Sequence, residues 1–258
     1  MGLSVEQILK EYEIIKTHKN DPDFKAKFTN GNIKLGKMGV WSTLKGNDLI
    51  SAPSLSTTTP IMGTCGDHCK NCTNSCYVNK SYRIYPSVVQ RHAINTLILR
   101  HDPAKAFSDL REQLNKMRTP YSTIRINQSG ELSCPGNIIM WEDLAKDYPN
   151  IEFYLYTKAY EIVEPEILAN KIPPNLTILY SIWENQGVAE FLKVKDYPNV
   201  KAFVYHGKNS NPNSRALPQT YCHAYDAKGK MNHNITCDKC KMCYDRNDNH
   251  KIIGCYDH

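Results

Sequence analysis

The placement of cysteine constrains this chain more than any other feature of its sequence. Four of the ten cysteines fall within twelve residues, and four more lie near the carboxyl end. The first group is Cys65, Cys69, Cys72 and Cys76, and the second is Cys222, Cys237, Cys240 and Cys243. In a reducing cytoplasm, thiols at this density are metal ligands before they are disulfides. The sequence therefore predicts a fold that presents two sets of metal ligands.

The rest of the composition sets broad limits. A chain of 258 residues with 41% hydrophobic content can bury one sizeable core. It starts without an apolar run of signal-peptide length and contains no stretch of eighteen consecutive apolar residues, so we expect a cytoplasmic protein without membrane contact. The net charge of +6 is mild and leaves a nucleic-acid partner open without requiring one. No phosphate-binding loop, dinucleotide fingerprint or hydrolase elbow occurs.

The second half of the chain alternates strand-like and helical segments. Four runs rich in β-branched and aromatic residues predict strands at 122–127, 151–157, 176–182 and 200–205. Segments of helical periodicity separate them, such as 138–148 and 184–195. Parallel βα units joined by right-handed crossovers predict an α/β fold with a full or partial (βα) barrel. A doubly wound sheet is the alternative, because periodicity does not separate the two.

The first half is predicted to be mainly helical around the first cysteine group. An amphipathic helix is expected over 5–16, a second over 87–100, and a third from Pro103, since proline suits the first helical turn. We expect residues 1–215 to form the barrel domain with this helix and the cysteine loop. Residues 216–258 would form a cysteine-rich, cluster-binding segment.

The first cysteine group has a spacing that suits an iron–sulfur cube. Three residues separate Cys65 from Cys69 and two separate Cys69 from Cys72, so one loop can cap one face of a [4Fe–4S] cluster. One iron would then stay free for chemistry. Zinc is the alternative, with four ligands from Cys65, Cys69, Cys72 and Cys76, although structural zinc sites usually draw on two separated pairs.

The second cysteine group can close a cluster completely. Fourteen, two and two residues separate Cys222, Cys237, Cys240 and Cys243, which predicts four thiolates around one cube. Zinc is the rival here too, because two-residue knuckles plus a distant ligand also satisfy a tetrahedron. The two remaining cysteines are Cys134, expected to be a small buried thiol, and Cys255, expected to be incidental.

A short turn is predicted where the first of the central strands ends. Ser129, Gly130 and Glu131 follow that strand and combine a flexible backbone with a carboxylate that can accept from an ammonium group. The sequence therefore predicts an amine-binding edge. The alternative is an ordinary strand-to-loop turn.

These residues resemble the radical S-adenosylmethionine enzymes. The Cys-x3-Cys-x2-Cys spacing is similar to theirs, although Asn71 stands where that superfamily usually has an aromatic residue. Tyr77 instead follows Cys76, so the working trio is either Cys65, Cys69 and Cys72 or Cys65, Cys72 and Cys76. The resemblance implies that the open iron binds S-adenosylmethionine and that Ser129, Gly130 and Glu131 hold its amino group.

A closer resemblance covers most of the chain. The segments that carry it are Thr64-Cys65, Cys76-Tyr77, Arg125-Ile126, Ser129-Gly130-Glu131, Tyr148-Pro149, Phe153 to Lys158, Pro174-Asn175-Leu176 and Cys237 to Tyr244. This succession is similar to a phage and prophage family called gene product 88. The resemblance implies a radical-SAM-like barrel in the cytoplasm of a bacterial host cell.

Two functions are expected from these observations. The first is an iron–sulfur protein of phage or prophage origin that acts as a radical-SAM-like enzyme, with one or two [4Fe–4S] clusters and S-adenosylmethionine as cofactors. Its expected partner is an electron donor such as ferredoxin or flavodoxin. The second is a non-enzymatic module, stapled by zinc or by closed clusters, that binds nucleic acid or a host protein.

Overall fold

The computed structural model describes most of the chain. The described residues are 3–46, 49–52, 59–69, 72, 76–183, 186–206, 218, 220–225 and 230–256, without the side chains of Cys69 and Tyr256. The helices are α1 (Val5–His18), α2 (Val78–Ile84), α3 (Pro86–His101), α4 (Pro103–Lys116), α5 (Pro135–Asp147), α6 (Tyr160–Leu168), α7 (Val188–Val194) and α8 (Cys237–Cys240). The strands are β1 (Thr29–Asn30), β2 (Gly39–Val40), β3 (Leu49–Ile50), β4 (Ile61–Met62), β5 (Thr123–Ile126), β6 (Glu152–Thr157), β7 (Leu176–Trp183), β8 (Val200–His206), β9 (Thr220–Tyr221) and β10 (Ile252–Tyr256).

The chain divides into two compact units. Residues 1–28, 41–120 and 127–133 form the first unit, and residues 29–40, 121–126 and 134–258 form the second. The predicted boundary between residues 215 and 216 lies outside the described residues. Within the described part, no helix combines the length and the apolar character that a bilayer crossing requires.

In its described residues the first unit is helical apart from the antiparallel pair β3 and β4. Helices α1, α3 and α4 are found where the sequence predicts them, and α2 was not predicted. Ser4 caps α1 by accepting from the backbone N–H of Gln7, and prolines open α3 and α4. Helix α1 is tied to α3 by the fully buried carboxylate of Glu11, which pairs with Arg100 and His101 at 2.8 and 2.7 Å. A buried charge that is paired on both oxygens fixes the relative position of these two helices.

The second unit is built on an eight-stranded sheet in the order β1-β2-β5-β6-β7-β8-β10-β9. Only the pair β1 and β2 is antiparallel; the other neighbours run parallel. The four predicted central strands are confirmed as β5 to β8, and they lie side by side in sequence order. The order does not reverse between them, as it would at the switch point of a doubly wound sheet.

Of the full and the partial barrel that the sequence leaves open, the structure does not form the full one among its described strands. Among the described strands the sheet is open, with the two-residue strands β1 and β9 at its edges. Closing a barrel requires the first and last strands to pair with each other. Here an antiparallel pair ends one side, and β9 is added outside β10 on the other. The mixed α/β class and the mostly parallel sheet are as predicted.

The two faces of this sheet are covered differently. On one face, Tyr180 of β7 stacks on Tyr160 of α6 at 5.1 Å and meets Phe191 of α7 at 6.0 Å between ring centroids. On the other face, Tyr154 of β6 stacks on Tyr244 at 5.0 Å. Side chains alternate along a strand, so these neighbouring strands present opposite faces at the two tyrosines. The carboxyl-terminal cysteine segment therefore covers the face that α6 and α7 leave uncovered.

Candidate metal centres

The first cysteine loop is anchored at its base within the first unit. It follows β4 and contains a short 3₁₀ turn at Gly66–Cys69. The backbone N–H of Thr64 donates to the carbonyl of Leu44 at 2.9 Å, and that of Cys65 donates to Gly46 at 3.0 Å. Residues 70, 71 and 73–75 of the loop, and the side chain of Cys69, lie outside the described part. Cys65, Cys72 and Cys76 are described and partly buried.

Both ends of this loop are hydrogen-bonded to the predicted turn. At the start, the hydroxyl of Thr64 accepts from the backbone N–H of Glu131 at 2.9 Å. At the end, the hydroxyl of Tyr77, which follows Cys76, donates to the carbonyl of Gln128. The structure thus brings together two segments more than fifty residues apart that the sequence marked separately.

The turn itself requires glycine. Gly130 has a φ of +81°, a conformation that L side chains rarely adopt. A Cβ atom there would lie 1.9 Å from the Oγ1 of Thr43 and 2.5 Å from that of Thr64. These two hydroxyls are 2.8 Å apart and buried, so they have little room to move. Gly130 therefore lets the backbone pass directly over the start of the cysteine loop.

The carboxylate of Glu131 is buried beside the loop, with 7% of the residue exposed. Its Oε1 accepts from the backbone N–H of Leu132 at 2.8 Å and from the side-chain amide of Asn127 at 3.2 Å. A buried carboxylate needs such donors, because burying an unsatisfied charge is costly. The turn therefore holds an acceptor of negative charge in a fixed place.

Tyr82 of α2 is a neighbour of this site that sequence reasoning missed. Its hydroxyl lies 2.9 Å from Nδ1 of His92 and accepts from the backbone N–H of Lys45 at 3.3 Å. Burial raises the pKa of Tyr82, and negative charge on the thiols of Cys65 and Cys76 raises it further. Those two cysteines therefore lie close to one buried hydroxyl. No sequence pattern distinguishes Tyr82 from the other fifteen tyrosines of the chain.

The second cysteine group forms a pocket in the second unit. All four predicted cysteines line it, and the other walls are mainly apolar. The lining residues are Tyr154, Cys222, Ala224, Thr236, Cys237, Cys240, Lys241, Met242, Cys243, Tyr244 and Ile253. The structure therefore places Cys222 in the same pocket as the three closely spaced cysteines.

Three of these cysteines are held by a short helix and by the sheet. Helix α8 begins at Cys237 and ends at Cys240, and the backbone N–H of Cys237 donates to the carbonyl of Lys34 at 2.8 Å. Cys243 lies against the sheet, where the hydroxyl of Tyr156 donates to its sulfur at 3.0 Å. Burial raises the pKa of the Cys243 thiol to about 12, and the hydrogen bond from Tyr156 opposes this rise.

The fourth cysteine of the pocket has an unexpected neighbour. The backbone N–H of Cys222 donates to the carbonyl of Gly254 at 2.7 Å, which brings its thiol beside that of Cys255. Interaction with the neighbouring thiol lowers the pKa of Cys222 and raises that of Cys255. Cys255, expected to be incidental, is buried in β10. Cys134, expected to be buried, is exposed just before α5.

A buried lysine of the sheet supports the carboxyl-terminal segment that carries Cys243. Lys201 of β8 is only 3% exposed, and its ammonium donates to the carbonyls of Met242 and Asp245 at 2.7 and 3.1 Å. Burial lowers the pKa of Lys201. Arg125 of β5 lies 4.6 Å from the ring centre of Tyr156. The loop that carries Cys243 is therefore fixed by a buried lysine from the sheet.

The described thiols do not form a group that could hold a single metal ion. Within the described residues, no three histidine, cysteine, aspartate or glutamate side chains are placed to hold one metal ion. His223 is exposed, with its Nδ1 3.9 Å from the sulfur of Cys240. The cysteines of the second group share a pocket and influence each other's charge, but they are spread around its walls.

Comparison with known families gives one match. A protein-family model described as Gene product 88 matches residues 26–250, which is most of the chain. No curated protein and no solved structure matches significantly.

Proposed function

The chain belongs to the gene product 88 family, and we propose that it is an iron–sulfur protein that works as a radical-SAM-like enzyme. The observation that carries this proposal is the pocket lined by Cys222, Cys237, Cys240 and Cys243 over one face of the sheet. Thiolates so concentrated in a reducing compartment are metal ligands. A phage or prophage protein of this kind would act in the cytoplasm of the bacterial host.

The geometry of the pocket favours a cluster over a zinc ion. A tetrahedral zinc site gathers its sulfurs about 2.3 Å from one point. The described cysteines of the second group line a common cavity, and no three of them are placed to hold one metal ion. An iron–sulfur cube distributes its thiolates over separate iron atoms, so it suits ligands on different walls. The four cysteines would close such a cluster and leave it for electron transfer or for stabilising the fold.

The second unit supplies the surroundings that a closed cluster needs. Tyr154, Tyr244 and Ile253 make the pocket wall apolar and limit the access of water. Tyr156 donates to the sulfur of Cys243, and Lys201 brings positive charge next to it. Hydrogen bonds and positive charge near cluster sulfurs stabilise the reduced, more negative state.

The first unit supports the radical-SAM part of the proposal. Three of the four cysteines Cys65, Cys69, Cys72 and Cys76 would ligate a cluster with one open iron. The start and the end of their loop are both hydrogen-bonded to the turn that ends in Glu131. A buried carboxylate next to a cluster with an open iron is suited to accept hydrogen bonds from the amino group of S-adenosylmethionine.

The chemistry and the roles of the residues follow from this arrangement. When bound, a reduced cluster of this type supplies the electron that splits S-adenosylmethionine into methionine and a 5′-deoxyadenosyl radical. Gly130 allows the turn to pack closely against Thr43 and Thr64 at the start of the loop, and Glu131 would orient the ammonium group of the cofactor. Asn127 and the N–H of Leu132 keep the Glu131 carboxylate in place. The substrate would be a molecule with a hydrogen atom that such a radical can abstract.

The first test is metal content after anaerobic reconstitution. We expect roughly eight iron atoms and as many sulfides per chain, four of each per cube, with the brown colour and electron paramagnetic resonance signals of [4Fe–4S] clusters. Replacing Cys65, Cys72 and Cys76 by serine should remove one cluster, and replacing Cys237, Cys240 and Cys243 the other. Cys134→Ser is the matched control and should change nothing. A colourless protein that holds only zinc would overturn the proposal and favour the non-enzymatic module.

The second test is cofactor cleavage. The reconstituted protein, reduced with dithionite or with reduced flavodoxin, should convert S-adenosylmethionine into methionine and 5′-deoxyadenosine. Glu131→Gln should weaken cofactor binding by about tenfold or more, because an amide accepts less strongly from an ammonium than a carboxylate does. Two intact clusters that yield neither product would reject the enzymatic part and leave an iron–sulfur protein with closed clusters at both ends.

A further inference from the structure

We infer that the fourth corner of the carboxyl-terminal cluster is served by a pair of thiols, Cys222 and Cys255, either of which can ligate the iron there. This inference rests on the proposed iron–sulfur function of the same pocket. It assigns a ligand role to Cys255, which no spacing in the sequence indicates.

The backbone brings the two thiols together. Strands β9 and β10 run parallel, with Tyr221 opposite Gly254. Cys222 follows directly after Tyr221, and its N–H donates to the carbonyl of Gly254 at 2.7 Å. Cys255 follows directly after Gly254, so the two cysteines leave neighbouring strands at the same level. Their thiols are close enough for each to change the pKa of the other.

Cys255 also faces the correct side of the sheet. Ile253 precedes it by two residues on the same strand and lines the cysteine pocket. Because side chains alternate along a strand, Cys255 points to the same face as Ile253. Lys34 lies close enough to both sulfurs for its charge to favour the thiolate at each. The second thiol is therefore positioned toward the cluster and not away from it.

The two candidate ligands are held with different firmness. Cys255 lies in a five-residue strand that pairs with β8 on one side and with β9 on the other. Cys222 follows β9, a two-residue strand at the edge of the sheet. A cube has four corners, so only one of the two thiols can ligate at a time. Cys255, which lies in the better-supported strand, is therefore the neighbour of Cys222, which lines the pocket.

The exchange between them balances without any oxidant. The iron–sulfur bond to Cys222 would break and one to Cys255 would form, while the proton of the Cys255 thiol would pass to the neighbouring Cys222 sulfur. The charge of the site and its electron count would be unchanged.

The test uses protein in which the first cluster has been removed by replacing Cys65, Cys72 and Cys76 with serine, so that all iron reports on the second site. In this parent, Cys222→Ser and Cys255→Ser should each keep about half or more of the cluster iron. The double variant should lose about tenfold or more, as a variant lacking Cys237, Cys240 and Cys243 should. Cys134→Ser is again the matched control. Iron content, sulfide content and paramagnetic resonance are the readouts.

A second measurement identifies the ligand directly. In the Cys222→Ser variant, Cys255 should resist alkylation by iodoacetamide while iron is bound and react after the iron is chelated under denaturing conditions, as shown by peptide mass mapping. If Cys222→Ser alone empties the site in a folded chain, Cys255 is not a ligand. A parent protein that binds no iron at all would overturn the proposed site itself, a result distinct from the loss of iron on replacing Cys222.

Discussion

The two cysteine groups are supported in different ways, although they contain the same kind of ligand. The carboxyl-terminal group lies on a sheet, with Cys243 fixed from below by Tyr156 and with its loop fixed by Lys201. The amino-terminal group lies on a loop whose two ends are fastened to the turn that ends in Glu131. A sheet face favours an enclosed site, whereas a loop beside a carboxylate leaves a side for a ligand.

The two cysteine groups also differ in the charged side chains around them. Lys201 and Arg125 from the sheet, together with Lys34, act with positive charge on the thiols of the carboxyl-terminal pocket. Around the amino-terminal loop the buried partners of Tyr82 are uncharged at neutral pH, because burial lowers the pKa of His92 to about 4. If the proposed clusters bind, the positive charges around the carboxyl-terminal pocket would favour a permanently anionic cluster, and the amino-terminal loop would leave room for the charge of a cofactor.

The largest effect is expected at the turn that holds the first group. Gly130→Ala should destabilise the protein by about 3 kcal/mol, since it combines a positive φ with a Cβ placed on two buried hydroxyls. Urea unfolding measures the change in free energy. If the turn supports the first cysteine group and not the second, this variant should lose iron from the first cluster and keep it in the second.

Gly136→Ala is the matched control for that change. An added Cβ at Gly136 would meet nothing closer than the sulfur of Cys134 at 3.9 Å, and the residue lies in helix α5. Alanine there should be neutral or stabilise the protein by up to about 1 kcal/mol. Equal stability of the two alanine variants would contradict the constraint placed on Gly130.

A smaller loss of about 2 kcal/mol is expected for Lys201→Met. Methionine fills similar space but leaves the carbonyls of Met242 and Asp245 without their buried donor. The carboxyl-terminal segment that carries Cys243 should become less ordered, and iron should leave the second cluster faster when a chelator is added. Lys239→Met, which changes an exposed lysine of α8, should stay within about 0.5 kcal/mol of the parent protein. An equal rate of iron loss in both variants would mean that Lys201 does not stabilise the second site.

The sequence predicts much of the fold because its strands and helices are marked locally. The four central strands and helices α1 and α3 lie within two or three residues of their predicted bounds, and α4 begins at Pro103 as predicted. Strand β10 was missed: its five residues follow the polar stretch 245–250 and carry no alternating pattern. The sequence left open whether the barrel closes, since closure depends on pairing between distant strands that no local period records.

At the candidate sites, cysteine spacing predicts which cysteines form each group and little more. The four cysteines of the second pocket follow from spacing, and so does the presence of a loop with four more. The pairing of Cys222 with Cys255 does not, because it depends on the register of β9 against β10. Tyr156 and Lys201 escaped prediction for a similar reason: they contact the loop only because two strands place them beneath it.

The pH dependence should separate the two regions. His92 has a pKa of about 4 in the folded protein and about 6.5 when unfolded, so the unfolded state binds the proton more tightly. Stability is therefore lost as the pH falls from about 6.5 towards 4, and at pH 5 the loss should be between about 1 and 2 kcal/mol. Limited proteolysis at pH 7.5 and pH 5, mapped by mass spectrometry, should show the added cleavage in the first unit.

His92→Asn is the control for this pH effect. Asparagine can still accept from the hydroxyl of Tyr82 but gains no proton in this range, so the variant should lose the extra acid sensitivity of the first unit. Cleavage that increases equally in both units, or that persists in His92→Asn, would mean that another group controls the acid response.

The smallest effect is expected for Tyr156→Phe, which tests the support of the second group most directly. The change removes one hydroxyl that donates to the sulfur of Cys243 at 3.0 Å and keeps the ring that packs there, so stability should fall by about 1 kcal/mol or less. Because a hydrogen bond to a cluster sulfur stabilises the reduced state, its loss should move the reduction potential of the second cluster to more negative values and leave the first unchanged. Tyr197→Phe, whose hydroxyl bonds a backbone carbonyl of Leu168 instead, should shift neither potential. A shift of both clusters in Tyr156→Phe would contradict the separate support of the two groups.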